Sequence, residues 1–121
     1  MLTRKTIAEH EVREVELPKR KVKLLVGPET LGSQGLNFGV TEVPPHTAMD
    51  FHVHEGAEEI IYILSGWGEV VVDGQTEPLK PGTAVYFPRQ ASHSVKNLSD
   101  ETMKFTFCFS PPFWVGGGQA E

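Results

Sequence analysis

The stretch His52-Val53-His54-Glu55-Gly56-Ala57-Glu58-Glu59-Ile60-Ile61-Tyr62-Ile63-Leu64-Ser65-Gly66 decides how this chain is read. Glu59–Leu64 is a short apolar run, rich in branched and aromatic residues, between two turn signals, which is strand chemistry. Glu55-Gly56-Ala57 is a loop too short for anything but a direct chain reversal. On the upstream side, Thr47–His54 alternates and is expected to be one strand. Its period of two places Ala48, Asp50, His52 and His54 on one face, and Met49, Phe51 and Val53 on the other. The two imidazoles then project the same way, roughly 6.6 Å apart along the strand.

Strand signals continue outward in both directions. Lys21–Val26 alternates, with Val22, Leu24 and Val26 on one face, and Leu36–Val43 ends at Pro44-Pro45. After Gly66 come Glu69–Val72, the Asp73-Gly74 hairpin signal, Gln75–Leu79, Thr83–Phe87, Ser92–Val95 and Thr102–Phe109. Strands at such short spacing, with Gly and Pro between them and no helical period, indicate an all-β antiparallel sandwich or barrel. The length of 121 residues suits a single domain, 1–121, with 1–20 an N-terminal arm or edge strand and 115–121 a flexible C-terminal tail.

Composition narrows the class of function. A net charge of −5 argues against nucleic acid as the main partner. No apolar stretch is long enough to span a bilayer as a helix, and the charged start Met1-Leu2-Thr3-Arg4-Lys5 does not resemble a secretory signal. A single cysteine, Cys108, excludes an intramolecular disulfide framework and a zinc ribbon, and a soluble cytoplasmic domain is expected. Seven of the eleven basic residues fall in 4–23, interspersed with Glu9, Glu11, Glu14 and Glu16, a pattern that discourages edge pairing. Phe113 and Trp114, before Gly116-Gly117-Gly118, are expected to cover the barrel end or act as a lid.

His52, His54, Glu59 and His93 carry the chemistry. An antiparallel return after Glu55-Gly56-Ala57 brings Glu59 beside the two histidines, and His93, at the start of a later strand, can close the set. Three neutral imidazoles and a carboxylate suit a borderline divalent transition metal, here one ion of Mn, Fe, Ni, Co or Zn, with open positions for a ligand. Glu58 should point away from Glu59 into solvent. Asp50, on the histidine face, and Arg89, near the approach to His93, are the candidate catalytic residues, Arg89 by holding a substrate carboxylate. His46 and His10 carry no such signal, and Cys108 should be an inert packed thiol.

The spacing goes further than the residue types. Four residues separate His54 from Glu59 and six separate Glu59 from Gly66; fifteen residues later, Gly82 begins a second cluster with Pro88, His93 and Asn97. This resembles the two sequence motifs of the cupin superfamily, small single-domain (cupin type-2 conserved barrel) members in particular, over about Pro45 to Asn97. The resemblance implies a double-stranded β-helix, or jelly-roll barrel, with His52, His54, Glu59 and His93 as metal ligands. Two departures stand out: His46 and Gln90 occupy positions where the motifs usually have glycine. The resemblance also implies a homodimer, for which the Met49-Phe51-Val53 stripe is the expected contact. The expected function is a metal-dependent oxygenase, decarboxylase or isomerase acting on a small oxygen-bearing molecule. The alternative is a non-catalytic metal-containing binding module. If Met103, Phe105, Phe107 and Phe109 line the cavity it is apolar; if Thr106 and Cys108 do, it is polar.

Overall fold

A computed structural model describes residues 4–112, so the expectations for Phe113, Trp114 and the tail 115–121 fall outside the described residues. The strands are β1 Val15–Leu17, β2 Arg20–Val26, β3 Asn37–Val43, β4 Thr47–Ala48, β5 His52–Val53 and β6 Glu58–Ser65. They continue as β7 Gly68–Val72, β8 Gln75–Leu79, β9 Ala84–Phe87, β10 Ser92–Asn97 and β11 Met103–Ser110. A single 3₁₀ turn, Glu9–Glu11, precedes them. All pairings are antiparallel. One sheet runs β1-β2-β3-β11-β6-β9; the other runs β4-β10-β7-β8, with β5 also on β10. This is the antiparallel barrel expected of the strand spacing, in the jelly-roll form that the resemblance implies. β1, from the N-terminal region, pairs with β2 at the edge of the first sheet.

The interior is built in rows across the first sheet. Asn37, Phe109, Glu59 and Phe87 lie side by side through successive registers; Gly39, Phe107, Ile61 and Val85 form the next row, and Thr41, Phe105 and Ile63 the third. Met103, Phe105, Phe107 and Phe109 are all buried in the core. The apolar face of the last strand therefore points inward, and Thr106 and Cys108 face out. The aromatic rows leave space for no side chain at Gly39, where a Cβ would stand 2.6 Å from Phe107 Cζ.

Three sequence expectations need correction. The Lys21–Val26 alternation breaks at a register shift between Leu24 and Val26, so Leu25 is buried out of phase with Val22. Thr47–His54 is not one strand. Ala48 pairs with Lys96 and His52 with His93, so three residues (49–51) oppose only two (94–95). The additional residue is a bulge, which reverses the parity of the side chains beyond it. Met49 consequently turns inward and is buried; its N–H donates to Val95 O, and Ser94 Oγ donates to Met49 O. The expected stripe of Met49, Phe51 and Val53 does not exist, since Met49 is in the core while Phe51 and Val53 are exposed. Asp50 leaves the histidine face at the same bulge.

The turns between strands explain the remaining motif residues. Asn97 is fully buried, its Nδ2 lies 2.8–3.0 Å from the carbonyls of Val43, Pro44 and Glu101, and its Oδ1 accepts from Ser99 N and Oγ. It is a clamp between β3, β10 and the start of β11. Gly66 has φ of +80°, and a Cβ there would stand 2.8 Å from Met103 Cα, so no other residue fits.

Candidate metal centre

The bulge that removes Asp50 and Met49 from their expected face is what aims His52 inward. His52 and His93 form a register pair between β5 and β10, and the chain then carries His54 into the same space as the loop to β6 begins. Glu59 arrives from the opposite sheet, in the row between Phe109 and Phe87. One ring nitrogen from each of the three histidines lies within 4.8 Å of the others. Glu59 Oε1 is 3.0 Å from His54 Nε2 and 3.5 Å from His93 Nε2. The four residues expected from sequence thus converge on one place.

Burial and packing make it a closed pocket of polarity. His54, His93 and Glu59 are buried, and His52 is half-buried, opening the site on one side. Phe87 stacks on His93, with centroids 4.0 Å apart and planes at 19°, and Phe109 meets His54 edge-on at 4.7 Å. Glu58, as expected, points away from the ligand set, where it accepts a hydrogen bond from Tyr86 OH.

Nδ1 of His52 lies 3.2 Å from Asp50 O, and Nδ1 of His93 lies 3.2 Å from Ala91 O. Donation to a backbone carbonyl holds the proton on Nδ1 and leaves Nε2 as the lone-pair nitrogen. Burial pushes the His52 ring down to about 4, helped by neighbouring His93 and His54 and opposed by the Asp50 carbonyl and Glu59, so it is neutral at pH 7. Burial pushes Glu59 the other way, but the adjacent His54 and His93 rings outweigh it and hold its carboxyl below the usual value. Both groups are therefore in the form that donates to a cation.

These donors fit a metal ion. Bonds of about 2.0–2.2 Å to imidazole nitrogen and carboxylate oxygen place ligand atoms around one centre roughly 3–4 Å apart, close to the separations found. Three imidazoles and one carboxylate also match the preferences of a borderline divalent ion.

Asp50 and Arg89 do not join this group. The Asp50 carboxylate is exposed and bonds Lys19 Nζ at 2.8 Å, which holds its pKa below the ordinary value. Arg89 is exposed, with Nη1 3.8 Å from Glu58 and Nε donating to Gly56 O at 3.4 Å. Phe87 was missed as a wall of the site, because nothing local distinguishes it from any strand-terminal aromatic. Cys108 faces outward beside the first sheet, and burial raises its thiol pKa, which suits an unreactive thiol.

His46 and Gln90 account for the two departures from the expected motif glycines. Both retain the left-handed backbone that glycine adopts without cost, at φ of +53° and +66°. His46 is held there by Asp100, 2.6 Å from its Nε2; Gln90 N donates to His54 O, which ties the strained turn to the site.

The family model for the cupin domain matches residues 39–110, more than half of the chain. The chain is a cupin. Polyketide synthase CurC of Streptomyces cyaneus is 31% identical over 105 residues, covering 84% of this chain and 68% of that one. The oxalate-binding protein of Thermotoga maritima is 31% identical over 81 residues, 67% of each chain. Among solved structures, KdgF from Halomonas sp. superposes with a TM-score of 0.75 at 23% identity, covering 90% of this cupin and 94% of that chain. The match to the two curated relatives spans about two thirds of their length. Among the described residues, no helix of this cupin is long and apolar enough to cross a membrane.

Proposed function

We propose that this cupin binds one divalent transition metal through His52, His54, Glu59 and His93 and acts on a small oxygen-bearing organic molecule. The observation that carries this reading is the convergence of a buried carboxylate with three imidazoles whose ring nitrogens lie within 4.8 Å of one another. A bound ion would act as a Lewis acid toward carboxylate, enolate or hydroxyl oxygens, the chemistry shared by oxygenases, decarboxylases and isomerases. The chain's own residues do the rest. Phe87 and Phe109 exclude water from two sides and fix the rings of His93 and His54. His52, the least buried of the set, marks the side from which a ligand enters.

A second reading, a non-catalytic binding module, is favoured by one specific feature. Glu59 is the only carboxylate among the buried described residues, and it belongs to the ligand set. Among the described residues no further carboxylate stands beside it, and Asp50 and Arg89 are engaged at the surface. The similar oxalate-binding protein supports a small carboxylate as the ligand class under either reading. A homodimer in the cytoplasm is part of the proposal.

Elemental analysis of protein purified without added metal, followed by oxygen uptake and product assays on small keto acids, dicarboxylates and phenols, separates the two. Turnover that vanishes on chelation and returns with one metal supports the enzyme. Stoichiometric metal with tight carboxylate binding and no turnover supports the module, and absence of metal affinity overturns both.

A further inference from the structure

Along one side of the barrel the two sheets face each other without pairing. β8 ends the second sheet, β9 ends the first, and residues 80–83 carry the chain from one to the other. Between these two edges lies a cleft of ≈ 420 Å³. Register decides what points into it, because residues paired across antiparallel strands share a face. Val70 and Leu79 belong to the buried core, and the β8 partners of Val70 and Val72 are Glu77 and Gln75. Val85, opposite buried Ile61, points inward from the first sheet. Val70, Val72, Val85 and Leu79 therefore make an apolar floor that continues the barrel core, and Gln75 and Glu77 stand over it as a polar wall. None of His52, His54, Glu59 and His93 lines the cleft, although Val72 is the register partner of His93.

We propose that this cleft is a second binding site, for a small organic cation: an amine carried on a short hydrocarbon or aromatic body. Its volume falls within the roughly 300–1,000 Å³ of small-molecule pockets, and its floor is of the apolar kind that receives such a body. Charge selects the class. The twelve lining residues, all of them described, include no Lys, Arg or His, whereas Glu77 is on the inward face. An ammonium group over the floor would form a charge-assisted hydrogen bond with that carboxylate, and a carboxylate ligand would meet like charge. The chain's net charge of −5 favours the same sign of ligand. An inward charge on an edge strand also discourages strand pairing, but Pro78 already interrupts the donors of β8, and edge protection requires no cavity. The metal centre, which suits oxygen anions, and the cleft, which suits cations, thus take ligands of opposite charge.

The test is titration of the ¹⁵N-labelled full chain with 2-phenylethylamine, followed by amide chemical shifts, with and without chelator. The amine should move the amides of Val70, Val72, Glu77 and Val85 saturably, with a Kd on the order of 1–10 mM for so small a probe. The neutral isostere 2-phenylethanol should bind at least about 3-fold more weakly, and Glu77→Gln should lower amine affinity by about 3- to 5-fold, toward that of the alcohol. Glu69→Gln makes the same change of charge on the outer face of the same hairpin, opposite Pro78, and should leave the affinity unchanged. Glu77 and Gln75 are exposed on an edge strand, so Glu77→Gln should fold as the wild type does, checked by its amide spectrum. Shifts that are absent, or scattered over other faces, overturn the proposal. So does an alcohol that binds as well as the amine, or a Glu69→Gln that weakens binding as much as Glu77→Gln. The metal reading is independent of each of these results, since metal content is measured on the same samples.

Discussion

His52 and His93 face one another as a register pair of β5 and β10, their ring centroids 4.3 Å apart, only because a bulge at 49–51 places one more residue on β5's side than on β10's. Were the same residues laid out from Ala48 as a regular strand with no bulge, parity would turn His52 to the outside and bring Phe51 and Val53 in. The metal centre thus depends on a backbone irregularity as much as on its ligands, in keeping with the tendency of bulges to re-aim side chains at functional sites.

His54→Ala and His93→Ala each remove a buried imidazole from the centre. Each variant should lose metal affinity at least about 100-fold, since even residues that merely orient ligands are worth 10- to 100-fold. The hydrophobic rows of β6 and β11 are untouched, so both should still fold. Elemental analysis after dialysis against a weak chelator reads the result, and full occupancy in both variants would sink the ligand assignment.

Deleting the opening residue of the bulge's exposed part tests the parity argument. Removal of Asp50 leaves two residues opposite 94–95 and should convert 47–53 into a regular strand that keeps His52 opposite His93, so metal binding should survive the deletion as it survives Asp50→Ala. Asp50 is exposed and its only side-chain bond among the described residues is to Lys19, so Asp50→Ala should leave stability close to that of the wild type. Loss of metal binding in the folded deletion variant, with Asp50→Ala still binding, would contradict the role given to the bulge.

Much of this was legible in the sequence, for reasons that differ residue by residue. An antiparallel sandwich or barrel follows from strand signals cut by Gly and Pro, and the jelly roll from the cupin resemblance; the period of two in the last strand grouped Met103, Phe105, Phe107 and Phe109 on one face without saying that this face is the inward one. The grouping of His52, His54, Glu59 and His93 follows from motif spacing. What failed was parity across irregularities. A bulge adds a residue without changing composition, so neither Leu25 in β2 nor Met49 before β5 could be assigned to a face by counting in twos. The placement of Asp50 and the supposed Met49-Phe51-Val53 stripe failed for this same reason. The wall formed by Phe87 depends on its register with Glu59, a long-range pairing that local sequence does not record.

Asn97→Ala should destabilise the barrel without affecting the metal. The buried amide satisfies carbonyls of Val43, Pro44 and Glu101, and its loss leaves them in a closed interior at a cost of roughly 2–4 kcal/mol. Chemical denaturation should show the loss, with one metal per chain still bound below the transition. A drop in metal stoichiometry in the folded variant would give Asn97 a direct role at the centre.

Gln90→Gly should have the opposite effect on stability. At φ of +66°, glutamine bears a steric cost of about 1–2 kcal/mol that glycine escapes, partly offset by the greater freedom glycine has when unfolded. A net gain of about 0.5–1 kcal/mol, or a rise in Tm of roughly 2–5 °C, is expected in calorimetry. A lower Tm would mean that the Gln90 side chain contributes more than its backbone costs.

The last prediction concerns pH. In the folded, metal-free protein His52 titrates at about 4, below its ordinary value of 6.5, chiefly because burial disfavours the charged ring. Above 6.5 the ring is neutral in folded and unfolded chains alike and has no effect on stability. Between 6.5 and 4 the unfolded chain takes up a proton that the folded chain refuses, so stability falls as pH falls, and below 4 the loss is complete. The shift corresponds to at most about 3 kcal/mol, and with His52 only half-buried a loss of about 1–2 kcal/mol by pH 5 is reasonable. Glu59, whose folded pKa lies below its ordinary 4.5, adds a loss of the same sign at still lower pH. His52→Gln cannot take up this proton, so its metal-free stability should change less between pH 7.5 and 5 than that of the wild type. Metal makes the wild-type dependence steeper, because protons compete with the ion for the same nitrogens. The difference in Tm between loaded and chelated protein should therefore be greatest near pH 7.5 and should shrink toward pH 5. Melting curves of wild type and His52→Gln, each loaded and stripped, test both statements together. A loaded-minus-stripped difference that is constant from pH 7.5 to 5 would mean that the ion is not held by imidazole, and parallel stripped curves would mean that His52 is not the group refusing the proton.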